Sequence, residues 1–153
     1  MIKNKLYFII LIIVLNNLFL ESFAKDSIEF LTLKNNKVNL RQGPSFDYPV
    51  KLIYKKKYLP VIILNKIETW RQIKDHQNNS GWIHISQLTK RRSAININEN
   101  SIVYKKPTIY SKPIVKLKTG RLVLIKKCKK EWCQIKTGNY KGWILKKFLW
   151  GRT

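Results

Sequence analysis

The sequence is poor in glycine, histidine, cysteine and acid, and these shortages exclude several kinds of chemistry. Its 153 residues include 6 glycines, 2 histidines, 2 cysteines and 8 acidic residues. There is no glycine-rich phosphate loop, and no two acidic residues suggest a carboxylate pair. Neither histidine has a serine or cysteine nucleophile placed beside it by spacing. We therefore predict that the protein is not an enzyme and that it holds no cofactor and no metal.

Convincing helical periodicity is also lacking beyond the N-terminal segment. Apolar residues come instead in short runs, such as "FLTL", "LPVIIL", "GWIHI" and "RLVLIKKC". Branched and aromatic side chains dominate these runs, and glycine, proline, asparagine and aspartate separate them. This pattern is typical of many short strands, so it predicts an all-β fold.

The first 24 residues have the order of a secretory signal peptide. Lys3 and Lys5 precede an apolar run, 6–20, and Ser22 and Ala24 follow at the small-residue positions of a cleavage site. A membrane-spanning helix needs about 20 apolar residues, which is longer than this run. We predict a signal helix over 1–24 that is cleaved, an exported and periplasmic protein, and a mature form that does not span the membrane. The alternative is an uncleaved N-terminal anchor.

Negative charge is scarce, because 31 lysines and arginines outnumber 8 acidic residues and give a net charge of +23. The positive electrostatic field of such a chain attracts anionic partners. A second interpretation is codon bias, since lysine, isoleucine and asparagine all use AT-rich codons. Nucleic acid is not predicted as a partner. Nucleic-acid-binding proteins favour arginine over lysine for contacts with bases and phosphates. The predicted export also removes the chain from cytoplasmic nucleic acid. An anionic surface of the cell envelope remains as the predicted partner.

The chain repeats itself, and the repeat predicts the architecture. The segment "WRQI" at Trp70 returns as "WCQI" at Trp132, and "GWI" at Gly81 returns at Gly142. The order of elements is the same in both halves, which indicates two copies of a module of about sixty residues. The join is predicted near residues 94–100.

A module of this size buries little surface, and an open sheet would expose two edges. Closing the sheet into a small barrel removes those edges. We therefore predict two tandem five-stranded barrels, over residues 28–95 and 98–153, after the signal peptide.

These segments resemble a known family. The stretches "NLRQGPSFDYPV", "WRQI" and "GWIHISQL" are similar to the bacterial SH3-like domain (SH3b), and so are "RLVLIKKC", "EWCQI" and "GWILKKFLWG". More narrowly, the chain resembles exported proteins that carry two such domains in tandem. The second copy departs at its start, where "YKKPTIYSKP" lacks the Arg-x-Gly-Pro form.

Strand alternation and the resemblance together select candidate ligand-binding residues. If Ile73 and Ile135 point into the cores, Trp70 and Trp132 point away from them. The resemblance implies that these tryptophans correspond to the ligand-contacting tryptophan of SH3-type domains. The alternative is that their rings only shield the outside of each barrel, which is the interpretation favoured for the tryptophans of both "GWI" segments.

The long loop before the second strand should supply a second aromatic to each tryptophan. Tyr48 is expected beside Trp70, and Tyr110 beside Trp132, because this loop lies next to the first tryptophan in the resembled fold. Aromatic grooves of this kind bind extended peptides or stack on sugars.

The only two cysteines, Cys128 and Cys133, flank a short turn in "CKKEWC". This spacing is not that of a redox motif or a metal site. It places the two residues opposite each other on paired strands, within the distance that a disulfide bridges. We predict a disulfide that stabilises the fold by roughly 2 kcal/mol. The alternative is two free thiols.

The predicted function is a non-enzymatic binding module of the cell envelope. Its expected ligands are peptidoglycan peptide or glycan, or an acidic envelope protein. The alternative is a periplasmic adaptor or structural subunit with a single protein partner. An enzymatic interpretation would require an unseen partner for His84 or for the cysteine pair.

Overall fold

A computed structural model describes residues 28–153, and the predicted signal peptide at 1–24 lies outside them. Two seven-stranded antiparallel sheets make up the described part of the chain, which confirms the all-β prediction. Helical structure within 28–153 is limited to the 3-10 turns Ile85–Gln87 and Lys146–Phe148. Among these residues, no helix has the length and apolar character needed to cross a bilayer.

The two sheets repeat one topology. The first has the strand order β3-β2-β6-β5-β4-β1-β7 and the second the order β10-β9-β13-β12-β11-β8-β14, which is the same order shifted by seven strands. We name β1–β7 the first module and β8–β14 the second module. The first contains β1 Phe30–Leu33, β2 Val38–Arg41, β3 Val50–Tyr54, β4 Pro60–Ile67, β5 Trp70–Lys74, β6 Ser80–His84 and β7 Leu88–Thr89. The second contains β8 Ser93–Asn96, β9 Ser101–Tyr104, β10 Pro113–Leu117, β11 Leu122–Lys129, β12 Trp132–Thr137, β13 Tyr140–Leu145 and β14 Leu149–Gly151.

The prediction of five strands per barrel was wrong, because each sheet has seven strands. The last strand of each module has only two or three residues, which is too short to show an alternating pattern. Each sheet still surrounds a single core. Tyr54 of β3 and Leu88 of β7, at opposite ends of the first sheet, belong to one buried cluster, so the sheet curls around it.

Alternation along the central strands places the cores as predicted. Ile73 and Ile83 in the first module, and Ile135 and Ile144 in the second, are fully buried. The tryptophans of the "GWI" segments lie between core positions and are only partly buried, on the opposite face.

The predicted disulfide joins Cys128 and Cys133. The two residues are direct cross-strand partners of β11 and β12, with Cα atoms 4.0 Å apart. Cys133 is fully buried in the second core. The bridge belongs to the second module alone, because Arg71 stands at the matching position of the first.

The modules are docked on each other. Trp150 of the second module packs edge-on against Phe30 of the first, with ring centroids 5.1 Å apart, and its ring lies 6.0 Å from that of His76. β8 pairs within the second sheet, yet its Ile95 belongs to the first core. The predicted first unit, 28–95, therefore ends within β8, a strand of the second module that also packs into the first core.

A buried carboxylate organises the polar turn between β5 and β6. Asp75 is 1% exposed, and its oxygens accept hydrogen bonds from the Tyr54 hydroxyl at 3.0 Å, the Gln77 and Asn79 backbone N–H groups at 2.9 Å each, and the Asn79 side chain at 2.8 Å. Burial, followed by the adjacent Asp75 charge and hydrogen bond, raises the pKa of Tyr54 well above its ordinary value of 10.0.

This raised pKa predicts a loss of stability at alkaline pH. The folded state holds Tyr54 protonated, so its contribution is complete below pH 10 and falls as pH rises towards the folded pKa. We expect Tyr54→Phe to be about 1 kcal/mol less stable than the wild type at pH 7. Above pH 10 the wild type should lose up to about 1.4 kcal/mol per pH unit relative to Tyr54→Phe, so the order of stability should reverse at about pH 11. Urea unfolding of both proteins between pH 7 and 12 measures it, and a pH-independent difference would contradict the assignment.

Candidate functional site

A groove of about 210 Å³ opens on the face of the first sheet opposite the core. We name it the first-module groove. Strand β2 contributes alternate residues, β5 and β6 contribute a cross-strand pair, and the loop between β2 and β3 closes one side. Its lining residues are Lys37, Asn39, Arg41, Phe46, Trp70, His84 and Gln87.

Three aromatic rings form the wall of the groove. Trp70 and His84 are cross-strand partners on β5 and β6, and their ring centroids are 5.3 Å apart. The Phe46 ring lies 4.9 Å from Trp70 and 5.5 Å from His84. Trp70 is only 6% exposed, whereas Phe46 is 66% exposed, so Phe46 offers most of the free aromatic surface.

Arg41 positions the loop that carries Phe46. Its Nη1 donates hydrogen bonds to the carbonyl oxygens of Phe46, at 2.9 Å, and of Tyr48, at 2.6 Å. The guanidinium also lies 5.6 Å from the Phe46 ring centroid, within cation–π range. Arg41 therefore fixes the aromatic wall and at the same time supplies a positive charge to the groove.

The polar lining of the groove is suited to an anionic ligand. Lys37 and Arg41 are cationic, and no acidic side chain lines the groove among the described residues. Asn39 adds a polar side chain whose Oδ1 atom is buried.

His84 has a structural explanation that needs no catalytic partner. Its Nδ1 accepts from the Ser86 backbone N–H at 3.4 Å and lies 2.8 Å from the Ser86 hydroxyl, so the ring caps the 3-10 turn Ile85–Gln87. Its other neighbours are the Phe46 and Trp70 rings. Within residues 28–153, no group of three or more histidine, cysteine or acidic side chains is arranged to hold a metal ion.

The structure does not form the two predicted tyrosine–tryptophan pairs. Tyr48 lies against Gly43, where a Cβ would come within 2.5 Å of its ring, and Phe46 is the aromatic side chain that contacts Trp70. Tyr110 is 92% exposed, and Trp132 packs against Tyr104 instead, at 5.8 Å between centroids. The loop was correctly identified as the neighbour of Trp70, but Phe46 rather than Tyr48 contacts the Trp70 ring.

At the matching strand positions, the second module has neither the arginine nor the histidine of the first-module groove. Trp132 has Leu145 across from it, where Trp70 has His84. Trp143 pairs with Tyr104, where Trp82 pairs with Arg41. At these two positions the second face is aromatic and aliphatic, and its cation, Lys127, lies elsewhere, 5.9 Å from the centroid of the Trp143 ring.

Six of the seven groove residues were not selected from the sequence as ligand-binding candidates: Lys37, Asn39, Arg41, Phe46, His84 and Gln87. Arg41 had the clearest signal, since it is the arginine of the "LRQGPS" segment that the second copy lacks. Asn39 could have been found from strand alternation, because it lies two residues before Arg41 and so shares its face.

The match to a family model agrees with this architecture. The bacterial SH3 domain model matches residues 34–90 and 98–151. Among solved structures, the chain is similar to NlpC2 from Trichomonas vaginalis, at 16% identity over 83% of this chain and 49% of that one, with a TM-score of 0.38. It is also similar to NlpC1 from the same organism, at 16% identity over 84% and 47%, with a TM-score of 0.37. The chain spans about half the length of each of these two proteins. No curated protein matches it.

The two matched ranges coincide with the two repeated sheets and together cover most of the chain. The "GWI" strands and the preceding "W-x-x-I" strands lie at the same sheet positions in both. The chain therefore belongs to the bacterial SH3 domain family and carries two copies of the domain in tandem.

Proposed function

We propose that this protein is a non-enzymatic binding module of the cell envelope, and that the first-module groove binds a carboxylate-bearing peptide of peptidoglycan. The observation that carries the proposal is the aromatic wall of Phe46, Trp70 and His84 beside the cationic Arg41 and Lys37. Domains of this family are typically binding modules. The predicted signal peptide at 1–24 supports an exported, periplasmic location, where such a ligand is available.

The charge of the groove favours peptide over glycan. Stem peptides carry free carboxylates and amide N–H groups, whereas much of a glycan strand is neutral. Arg41 and Lys37 would hold a carboxylate. A groove of about 210 Å³ has room for the side chain of one or two residues, so the ligand is a short segment.

The aromatic wall gives a direct test. Phe46→Ala should reduce retention on purified sacculi about tenfold, because this ring provides the exposed apolar contact and one face of the Arg41 stack. The stability of the Phe46→Ala variant should change little, since the Phe46 side chain is 66% exposed. Trp70→Ala is a poorer probe, because that ring is buried and its loss would also destabilise the fold.

The matched control is Ile109→Ala, at the corresponding loop of the second module, where the side chain is 57% exposed. We expect this variant to be retained like the wild type. Co-sedimentation with sacculi at low and high salt measures both variants, and binding should weaken with salt because lysine and arginine contribute. No retention of the wild type at low salt, or equal loss in both variants, would reject the groove as the wall-binding site.

A further inference from the structure

Strand β3 forms an unprotected edge of the first sheet. It is paired with β2 on one side and is the terminal strand of the sheet order. Four of its five positions are exposed, including Val50 at 40%, Leu52 at 36% and Ile53 at 42%. Leu52 and Ile53 are adjacent, so they point to opposite faces and leave apolar surface on both sides of the strand.

The usual protections of an edge strand are weak here. Edges are normally guarded by proline, by charge or by a bulge. β3 contains no proline, and its one lysine, Lys51, donates from Nζ to the Ser80 carbonyl at 3.0 Å, which holds it against its own sheet. A bulge at Lys51 interrupts the pairing with β2, but the register beyond it, from Leu52 to Tyr54, is regular. Proline stands at the start of both edges, since Pro49 directly precedes β3 and β10 begins with Pro113, so in neither module does it guard the strand beyond that point.

The charge around β3 indicates what covers it. The strand and the turn after it carry four exposed lysines, and over residues 46–57 these face a single acid. They are Lys51, Lys55, Lys56 and Lys57. A second copy of this chain, with its net charge of +23, would be repelled from such an edge. An acidic segment would be attracted to it.

We propose that the β3 edge binds an extended, acidic segment of another protein by strand addition. The outward N–H and C=O groups of β3 pair with the backbone of the incoming segment, and its alternate apolar side chains cover Leu52 on one face of the sheet. Its acidic side chains lie near Lys55, Lys56 and Lys57. This site is separate from the first-module groove, so it adds a protein partner to the proposed wall ligand.

The probe is a capped seven-residue peptide of alternating glutamate and valine, titrated into the full chain by isothermal calorimetry. We expect binding in the micromolar range. The same peptide with every backbone nitrogen methylated cannot donate strand hydrogen bonds and should bind at least tenfold more weakly. The double variant Leu52→Glu with Ile53→Glu should also bind the unmodified peptide at least tenfold more weakly.

The control has the same change of charge at exposed isoleucines away from β3. Ile97 and Ile109 are 50% and 57% exposed, so Ile97→Glu with Ile109→Glu should fold and should bind the peptide within about twofold of the wild type. Equal weakening in both double variants, equal binding of the N-methylated peptide, or no binding of the unmodified peptide would overturn the proposal. So would a wild-type dimer in sedimentation that the β3 variant dissociates, because the occupant would then be a second copy. Sacculus retention is measured separately, so failure of this proposal leaves the groove proposal standing.

Discussion

Replacing Asp75 with alanine is expected to lower the free energy of unfolding by about 3–5 kcal/mol. The carboxylate is almost fully buried and accepts four hydrogen bonds, so its removal leaves the Tyr54 hydroxyl and two backbone N–H groups of the turn without acceptors. Hydrogen bonds to a charged group contribute about 1.5–3 kcal/mol each, and their loss is not fully additive. The turn between β5 and β6 should lose its conformation.

Urea unfolding at pH 7 measures this effect, and Asp47→Ala is the matched control. Asp47 is likewise an aspartate in a loop. It accepts a local hydrogen bond from the Ser45 hydroxyl, but it is exposed. Its replacement should cost less than about 1 kcal/mol. The loss of stability in Asp75→Asn should lie between those of Asp75→Ala and Asp47→Ala. Asparagine keeps the shape of the side chain but offers one acceptor oxygen instead of two. A loss below about 1 kcal/mol for Asp75→Ala would show that water replaces the carboxylate.

Asp75 also shows where sequence reasoning stops. The segment "KDHQNNSG" has the composition of a solvent-exposed turn, and nothing in it distinguishes an acid that is covered from one that is not. Its burial depends on Tyr54, which reaches it from β3 across 21 positions of the chain. Contacts between distant segments of this kind are set by the three-dimensional fold, and one sequence without its relatives does not reveal them.

Features that depend on local spacing were predictable. The repeat of "W-x-x-I" and "GWI" gave two modules, alternation placed Ile73 and Ile135 in the cores, and a four-residue gap put Cys128 opposite Cys133. The seven-stranded sheets were not predicted, because β1 and β8 join strands far along the chain. The choice of Phe46 over Tyr48 depends on how Arg41 bends the loop, which is a contact between side chain and backbone that composition does not show.

The duplication preserved the fold of the module but not the chemistry of its outer face. The core isoleucines and the "GWI" glycine recur in both copies, whereas Arg41 and His84 correspond to Tyr104 and Leu145. Packing constrains both copies alike, because each must fill its own core. Ligand binding constrains only the copy that binds. This difference supports the proposal that the wall ligand occupies the first module.

The recurring glycine leads to the second large expected effect. Gly81 and Gly142 lie where the sixth strand of each module crosses the second. A Cβ at residue 81 would lie 2.6 Å from the Arg41 carbonyl oxygen, and one at residue 142 would lie 2.6 Å from the carbonyl oxygen of Tyr104. Backbone oxygens cannot move aside as side chains do, so the strands would have to separate. We expect Gly81→Ala and Gly142→Ala each to cost about 3 kcal/mol. Thermal and urea unfolding measure this, and Ser80→Ala, one residue away and partly exposed, should cost less than about 1 kcal/mol.

The two glycine variants should differ in binding although they match in stability. Gly81→Ala displaces β2 at Arg41, which lines the groove and holds the loop of Phe46, so retention on sacculi should fall at temperatures where the variant is still folded. Gly142→Ala displaces β9 at Tyr104, where no cationic side chain occupies the matching position, and retention should stay near that of the wild type. Equal retention by both variants would separate the groove from wall binding, and a loss confined to Gly142→Ala would move the ligand to the second module. Because both substitutions make the same steric change at the same place in the fold, any difference between them must come from the outer faces of the two modules.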